Sequence, residues 1–144
     1  MDSQARMQPI TPYLTVKGAA DAIALYQKAF GAKENTRMPA QDGKRLMHAD
    51  LTINGGTVML SDEFPEACEH SALAPSVDKP AGVAVSITYA SPAEVDATYR
   101  RAVQAGCKGT LQPQDMFFGM RFATLDDPFG HRWMLAAPLP HTKV

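Results

Sequence analysis

The chain has 144 residues, 45% of them hydrophobic and 20% charged, with a net charge of -1. This composition suits one compact domain, or two small halves sharing a core, and it lacks the basic excess that nucleic acid or an anionic membrane would select. No apolar run approaches the roughly 20 residues needed to cross a bilayer. The opening Met1-Asp2-Ser3-Gln4-Ala5-Arg6 has no apolar signal core, and Cys68 and Cys107 form no CxxC motif. A reducing, cytoplasmic location is therefore the expectation.

Residues 1–9 read as an N-terminal extension and residues 10–62 as a first module. From Ile10 to Val16, Pro12, Leu14 and Val16 alternate with Thr11, Tyr13 and Thr15, the pattern of a half-buried strand. Between Ala20 and Phe30, Ile23, Tyr26 and Phe30 recur at helical spacing, and Gly31 stands where a helix ends. Lys33 to Met38 reads as a strand, and Gln41-Asp42-Gly43-Lys44 as a hairpin turn. From Leu46 to Asn54, Met47, Ala49, Leu51 and Ile53 face inward, opposite His48, Asp50, Thr52 and Asn54. Gly55-Gly56 then turns the chain into a strand over 57–61. Residues 63–81, with several prolines and no period, read as a linker or active-site loop.

Residues 82–137 repeat the order as a second module, leaving 138–144 as a tail. Val83, Val85 and Ile87 alternate with Ala84, Ser86 and Thr88. Ser91-Pro92-Ala93-Glu94 is a capping box with proline at the first helical position. Val95, Tyr99, Ala102 and Val103 form the apolar stripe of the helix, and Gly106 ends it. Strands are expected near 107–111, over 116–125 and over 131–136. The last two are joined by Asp127-Pro128-Phe129-Gly130, strong turn chemistry. Gly106 follows Gly31 by 75 residues, Met134 follows Met59 by 75, and Tyr99 follows Tyr26 by 73. Landmarks in one order at nearly one offset predict an α+β fold of two paired βαβββ modules forming a cleft.

Pro12-Tyr13-Leu14-Thr15-Val16, the helix after it, and the closing Asp127-Pro128-Phe129-Gly130-His131-Arg132-Trp133 resemble the vicinal oxygen chelate superfamily. This is the group of glyoxalase I, bleomycin-resistance proteins, fosfomycin-resistance enzymes and extradiol dioxygenases. Gly119-Met120-Arg121 with the closing motif resembles its PhnB-like branch. The resemblance implies a glyoxalase/bleomycin-resistance-like fold and a homodimer whose clefts draw on two chains. It also implies four metal positions in metal-dependent members. Carried onto this chain they fall on Thr11, Met59, Gly82 and Met134, or one register away on Pro12, Val58 or Leu60, Val83, and Trp133 or Leu135. None of these is a histidine or carboxylate, the donors a hard divalent ion requires. No metal and no other cofactor is expected. Members of the branch often carry a demethylubiquinone methyltransferase label, but no glycine-rich nucleotide loop follows the first strand.

Strand alternation nominates a ligand-binding set, Tyr13, Thr15, His48, Asp50, Met59, Ser61, Ser86, Arg132 and Met134, to which Arg121, following Phe117-Phe118-Gly119, is added. His48 and Asp50, at i and i+2 with side chains ~7 Å apart, read either as a carboxylate-assisted histidine or as a polar pair on a wet sheet face. His48 is the candidate catalytic residue. Arg121 reads as a grip for an anion or as a strand-end arginine paired with Asp115 or Asp126, and Arg132 has a similar claim. Tyr13 could bond or stack on a ligand, or simply pack. Met47 reads as core, and His131 and Trp133 as facing the helix. Asp62, Glu63 and Glu66 read as solvated loop surface, Cys68 as a free thiol, and His70 and His141 carry no pattern. Three function classes remain open: metal-independent binding or sequestration of a small organic ligand; a lyase, isomerase or dioxygenase-like enzyme using His48; and a structural or regulatory partner protein.

Overall fold

A computed structural model describes residues 8–67 and 72–140. Cys68, His70 and His141 lie outside the described residues. The first module runs β1 (Tyr13–Val16), α1 (Ala19–Phe30), β2 (Lys33–Pro39), β3 (Leu46–Ile53) and β4 (Gly56–Asp62). The second runs β5 (Ala84–Thr88), α2 (Pro92–Ala105), β6 (Lys108–Asp115), β7 (Met120–Asp126) and β8 (Arg132–Pro138). Each module is a four-stranded mixed sheet, ordered β1-β4-β3-β2 and β5-β8-β7-β6. In both, the first strand pairs parallel with the last and the other pairings are antiparallel. The expected duplication is therefore present in the topology itself.

Local chemistry explains the punctuation. Asn54 and Gly55 both take positive φ, 49° and 82°, the conformation that a two-residue Asn-Gly hairpin turn requires. Gly31 closes α1 with a left-handed residue whose N–H returns to the Gln27 carbonyl. The Glu94 carboxylate reaches back to the Ala90 and Ser91 N–H groups at the start of α2, at 3.0 and 3.2 Å. Helix α1 has no capping side chain of its own. Asp62, at the end of β4, substitutes: it accepts from the N–H groups of Gly18, Ala19 and Leu46 at 2.7, 2.9 and 2.7 Å. A carboxylate at a helix N-terminus also opposes the positive end of the helix dipole. Asp62 is thus buried structure and not solvated loop surface.

The helices cover one face of each sheet and contact each other. Leu14, Val16, Ala49, Leu51, Ile53, Val58 and Leu60 line the covered face of the first sheet; Ile87, Ala123, Leu125, Trp133, Leu135 and Ala137 belong to the same continuous core. The modules are joined at Asp127. Its carboxylate accepts the Tyr26 hydroxyl (2.6 Å), the Trp133 indole N–H (2.9 Å) and the N–H groups of Phe129 (2.9 Å) and His131 (3.0 Å). Trp133 also packs against Tyr26 and Phe30 with ring centroids 5.1 and 4.6 Å away. His131, buried as expected, contacts the Thr15 carbonyl through Nε2 at 3.0 Å. Gly130 takes positive φ, and a Cβ there would sit 2.7 Å from the Ser76 nitrogen, so the loop between the modules folds down onto this turn.

Several details depart from expectation. The first strand begins at Tyr13, and Ile10 is exposed. Met47 is not core: it is 53% exposed. The β2–β3 register jumps from Met38↔His48 to Pro39↔Leu46, so Met47 is the extra residue of a bulge and Leu46 takes the inward place. On α2, Val95, Thr98 and Ala102 are buried, whereas Val103 is exposed. Residues 116–119 form the turn joining β6 to β7 and not the start of a strand.

Two predictions follow from this packing. Tyr26→Phe removes one donor from a buried carboxylate and should lower stability by about 1–3 kcal/mol; an unchanged urea midpoint would show that Tyr26 adds nothing there. Burial, with Asp127 and Asp126 nearby, pushes the Cys107 thiol up to about 12. At pH 8 it stays protonated and closed to reagent, so peptide mapping after iodoacetamide treatment should find Cys107 unmodified in the native protein and modified in denaturant.

Candidate functional site

The face of each sheet turned away from its helix is the polar one. On the first sheet it gathers Tyr13 and Thr15 from β1, His48, Asp50 and Thr52 from β3, and Met59 and Ser61 from β4. The register brings these together: Tyr13 lies beside Met59, Thr15 beside Ser61, and Asp50 on the other side of Met59. Three of the nominated residues are directly joined. The Tyr13 hydroxyl is 2.8 Å from His48 Nδ1, and His48 Nε2 is 3.0 Å from Asp50 Oδ1. Asp50 Oδ2 accepts the Thr36 hydroxyl at 2.9 Å. The result is a four-residue chain, Tyr13–His48–Asp50–Thr36, running across three strands.

A cleft of about 850 Å³ opens at one end of this face, lined by Tyr13, Thr15, Met47 and Ser61. Its far wall is Arg45, whose guanidinium lies 4.3 Å over the Phe64 ring and pairs with Asp42 and Glu66, both at 2.7 Å. With two carboxylates on it, Arg45 is a strut between the β2–β3 turn and the loop after β4. Burial holds the Tyr13 phenol above its ordinary range.

On the second sheet, Ser86 lies beside Met134, and Met134 beside Thr124. Arg132 joins this face, paired with Asp126 at 2.7 Å. Arg121 does not. It lies in register with Ala137, on the buried side of the sheet, and its guanidinium reaches Asp96 of α2 at 2.9 Å and Asp115 at 3.1 Å. Arg121 therefore ties a helix to a hairpin, and its nomination as an anion grip is corrected by the phase of β7. Of the nominated ten, Tyr13, Thr15, His48, Asp50, Met59 and Ser61 share the first polar face, and Ser86, Arg132 and Met134 share the second.

Thr36 and Phe122 were not nominated. Thr36 becomes visible only once the irregular β2–β3 register is known. Phe122 had a signal: it follows His48 by 74 residues, so the repeat places an aromatic ring where the first module has its histidine. Phe118 packs edge-on against Phe122 at 6.0 Å and extends that apolar patch toward the exposed Phe117.

The four metal positions implied by the superfamily do not fit an ion. Thr11 and Gly82 precede β1 and β5, and the adjacent strand residues on the polar faces are Tyr13 with Met59 and Ser86 with Met134. A phenol, a hydroxyl and two thioethers are poor ligands for zinc, manganese or magnesium. Among the described residues, no group of three or more histidine, cysteine, aspartate or glutamate side chains is placed to hold a metal ion. No helix there is long and apolar enough to cross a membrane.

Because Arg121 is committed to Asp96 and Asp115 on the helix side, Arg121→Ala should shift the thermal midpoint slightly, by about 1 kcal/mol or less in stability. It should leave the exposure of Tyr13 and His48 to chemical modification unchanged. A strong change in that modification would place Arg121 at the polar face after all.

Comparison with known proteins agrees with this architecture. The chain is 41% identical over 130 residues to an uncharacterized protein of Mycobacterium bovis, covering 90% of this chain and 83% of that one. Among solved structures, the PhnB protein of Bacillus cereus superposes with a TM-score of 0.68 at 20% identity, over 90% of this chain and 99% of that one. The fosfomycin resistance protein FosX of Listeria monocytogenes, solved with Mn(II) and sulfate, does so with a TM-score of 0.66 at 17% identity, over 95% and 93%. At these identities the structures share the fold. Residues 6–135 match the family model of the Glyoxalase/Bleomycin resistance protein/Dioxygenase superfamily, and the chain belongs to that superfamily.

Proposed function

We propose that this protein binds a small organic ligand on the polar face of its first sheet, without an ion at the superfamily's usual metal positions. One observation carries the reading. The Tyr13–His48–Asp50–Thr36 chain lies on the same face as Met59, and Tyr13 itself lines the 850 Å³ cleft. A few convergent polar groups beside thioether and aromatic surface are what a small-molecule site requires. Tyr13 and Met59 supply apolar contact, while Tyr13, His48, Thr15 and Ser61 supply orientation. On the second face, Ser86, Met134 and Arg132 offer a complementary wall.

The reading includes pairing of two copies, so that each cleft draws on two chains. Exposed apolar side chains support it, notably Ile10, Val83 and Phe117. Sedimentation should therefore return about twice the 15.6 kDa chain mass; a monomer at micromolar concentration would reject the two-chain cleft.

A second reading, proton-transfer catalysis by His48, is favoured by the Asp50 contact that orients its ring. It uses the same face and would appear as turnover of a bound ligand.

The test is a thermal-shift screen of aromatics, small acids, glycopeptides and divalent metals, followed by calorimetry on the hits. An organic ligand should raise the melting point by several degrees. Tyr13→Ala or Met59→Ala should weaken its binding about tenfold, roughly 1.4 kcal/mol, and Arg121→Ala should not. Stabilisation by a stoichiometric divalent metal alone, with no organic hit, would contradict the proposal.

A further inference from the structure

We propose that the Tyr13 hydroxyl, backed by His48 and Asp50, is the docking point for an acidic hydroxyl on the ligand, a phenol or an enol, which is bound as its anion. This rests on the binding reading above and adds the chemical class of the ligand.

The direction of each hydrogen bond fixes the class. An ionised carboxylate can only accept, so the proton between His48 Nε2 and Asp50 Oδ1 belongs to the imidazole. Asp50 Oδ2 is filled by the Thr36 hydroxyl. Both oxygens of Asp50 thus have internal donors, which leaves it a poor grip for a cationic ligand. In neutral His48, Nδ1 then has only a lone pair, and the Tyr13 hydroxyl must donate to it. Tyr13 has one proton, and that proton points inward. What Tyr13 presents at the half-exposed face is the acceptor side of its oxygen, which the Ser61 hydroxyl also approaches, and the ligand group that suits this side is a hydrogen-bond donor.

The chain behind that oxygen is also a route for a proton. When a ligand hydroxyl gives its proton to the Tyr13 oxygen, the original Tyr13 proton passes to His48 Nδ1. Tyr13 ends as it began, still a phenol, and donates to the ligand oxyanion. His48 becomes an imidazolium held by Asp50, and the ligand is the anion; no proton enters or leaves the site. Burial, which keeps the Tyr13 phenol above its ordinary range, favours its role as a conduit over a lasting phenolate.

The surroundings suit that charge pair. Tyr13 and Thr15 from β1, Thr36 and Met38 from β2, and Met59 and Ser61 from β4 surround His48, and Asp50 is the charged group of the set. Arg45 at the far wall is occupied by Asp42 and Glu66, so the proton on His48 is the charge that answers the ligand oxyanion. Met59, beside both Tyr13 and Asp50, gives an aromatic or planar body an apolar surface to lie on.

The probes are 4-nitrophenol, whose phenolate is yellow, and 4-nitroanisole, which has no proton to lose. Bound 4-nitrophenol should ionise about one pH unit lower than in water, a tenfold bias toward the anion. It should bind at least about tenfold more tightly than 4-nitroanisole, and nitrogen NMR should show His48 becoming an imidazolium on binding. His48→Gln, Asp50→Asn and Tyr13→Phe should each return the ionisation midpoint to its value in water. These side chains are half-exposed or exposed, so the variants should melt as cooperatively as the parent protein. Equal affinity for the two probes, with ionisation unshifted, would overturn the proton relay and leave the binding reading intact. A shift that survives His48→Gln would also overturn the relay. Failure of both probes, beside an organic hit in the wider screen that competes at Tyr13, would reject the ligand class alone; failure of both with no hit at all would reject the binding reading as well.

Discussion

The carboxylate of Asp127 is the constraint on which the rest of this molecule depends. Burying an ionised group costs several kcal/mol unless its lone pairs are filled, and here four donors fill them. Two are backbone N–H groups that shape the Asp-Pro-Phe-Gly turn. One is Trp133, the largest fully buried side chain. The fourth, Tyr26, comes from the other module. One carboxylate thus shapes the last turn, orients the central tryptophan and ties the first helix to the second sheet. With both helices drawn into one core, the opposite faces of the sheets are left for polar residues.

Asp62 does parallel work within the first module. It closes the N-terminus of α1 and holds the start of β3, so the end of β4, the start of β3 and the helix beneath them are fixed by one group. Tyr13 and His48 are therefore carried on strands whose ends are pinned. The Tyr13–His48–Asp50–Thr36 chain inherits its geometry from that scaffold, since its members come from β1, β2 and β3 and meet only if those strands keep their register. A site on paired strands holds its groups more closely than one on loops.

Much of this was legible in the residues. Alternation placed Tyr13, Thr15, His48, Asp50, Met59 and Ser61 on one face; the two glycine-ended helices and the 75-residue offset pointed to paired modules. What escaped notice has physical causes. Met47 looked like core because alternation assumes one residue per step, and the bulge opposite Pro39 adds one. Arg121 reads either as a ligand grip or as an arginine paired with Asp115, and only the fold, which brings Asp96 of α2 up to it beside Asp115, decides for the pairing. Asp62 and Asp127 looked like solvated or turn residues because hydrophobic periodicity is blind to a carboxylate that collects backbone N–H groups. Thr36 could not be paired with Asp50 before the irregular β2–β3 register was known.

The central functional claim is that the superfamily's cleft has here been given to organic contacts in place of ion coordination. The most direct measurement is anomalous diffraction from crystals grown with zinc, nickel and manganese, each at its own absorption edge. The account predicts no occupied metal peak beside Met59 or Met134. A well-occupied transition metal at either place, held by protein side chains, would contradict it.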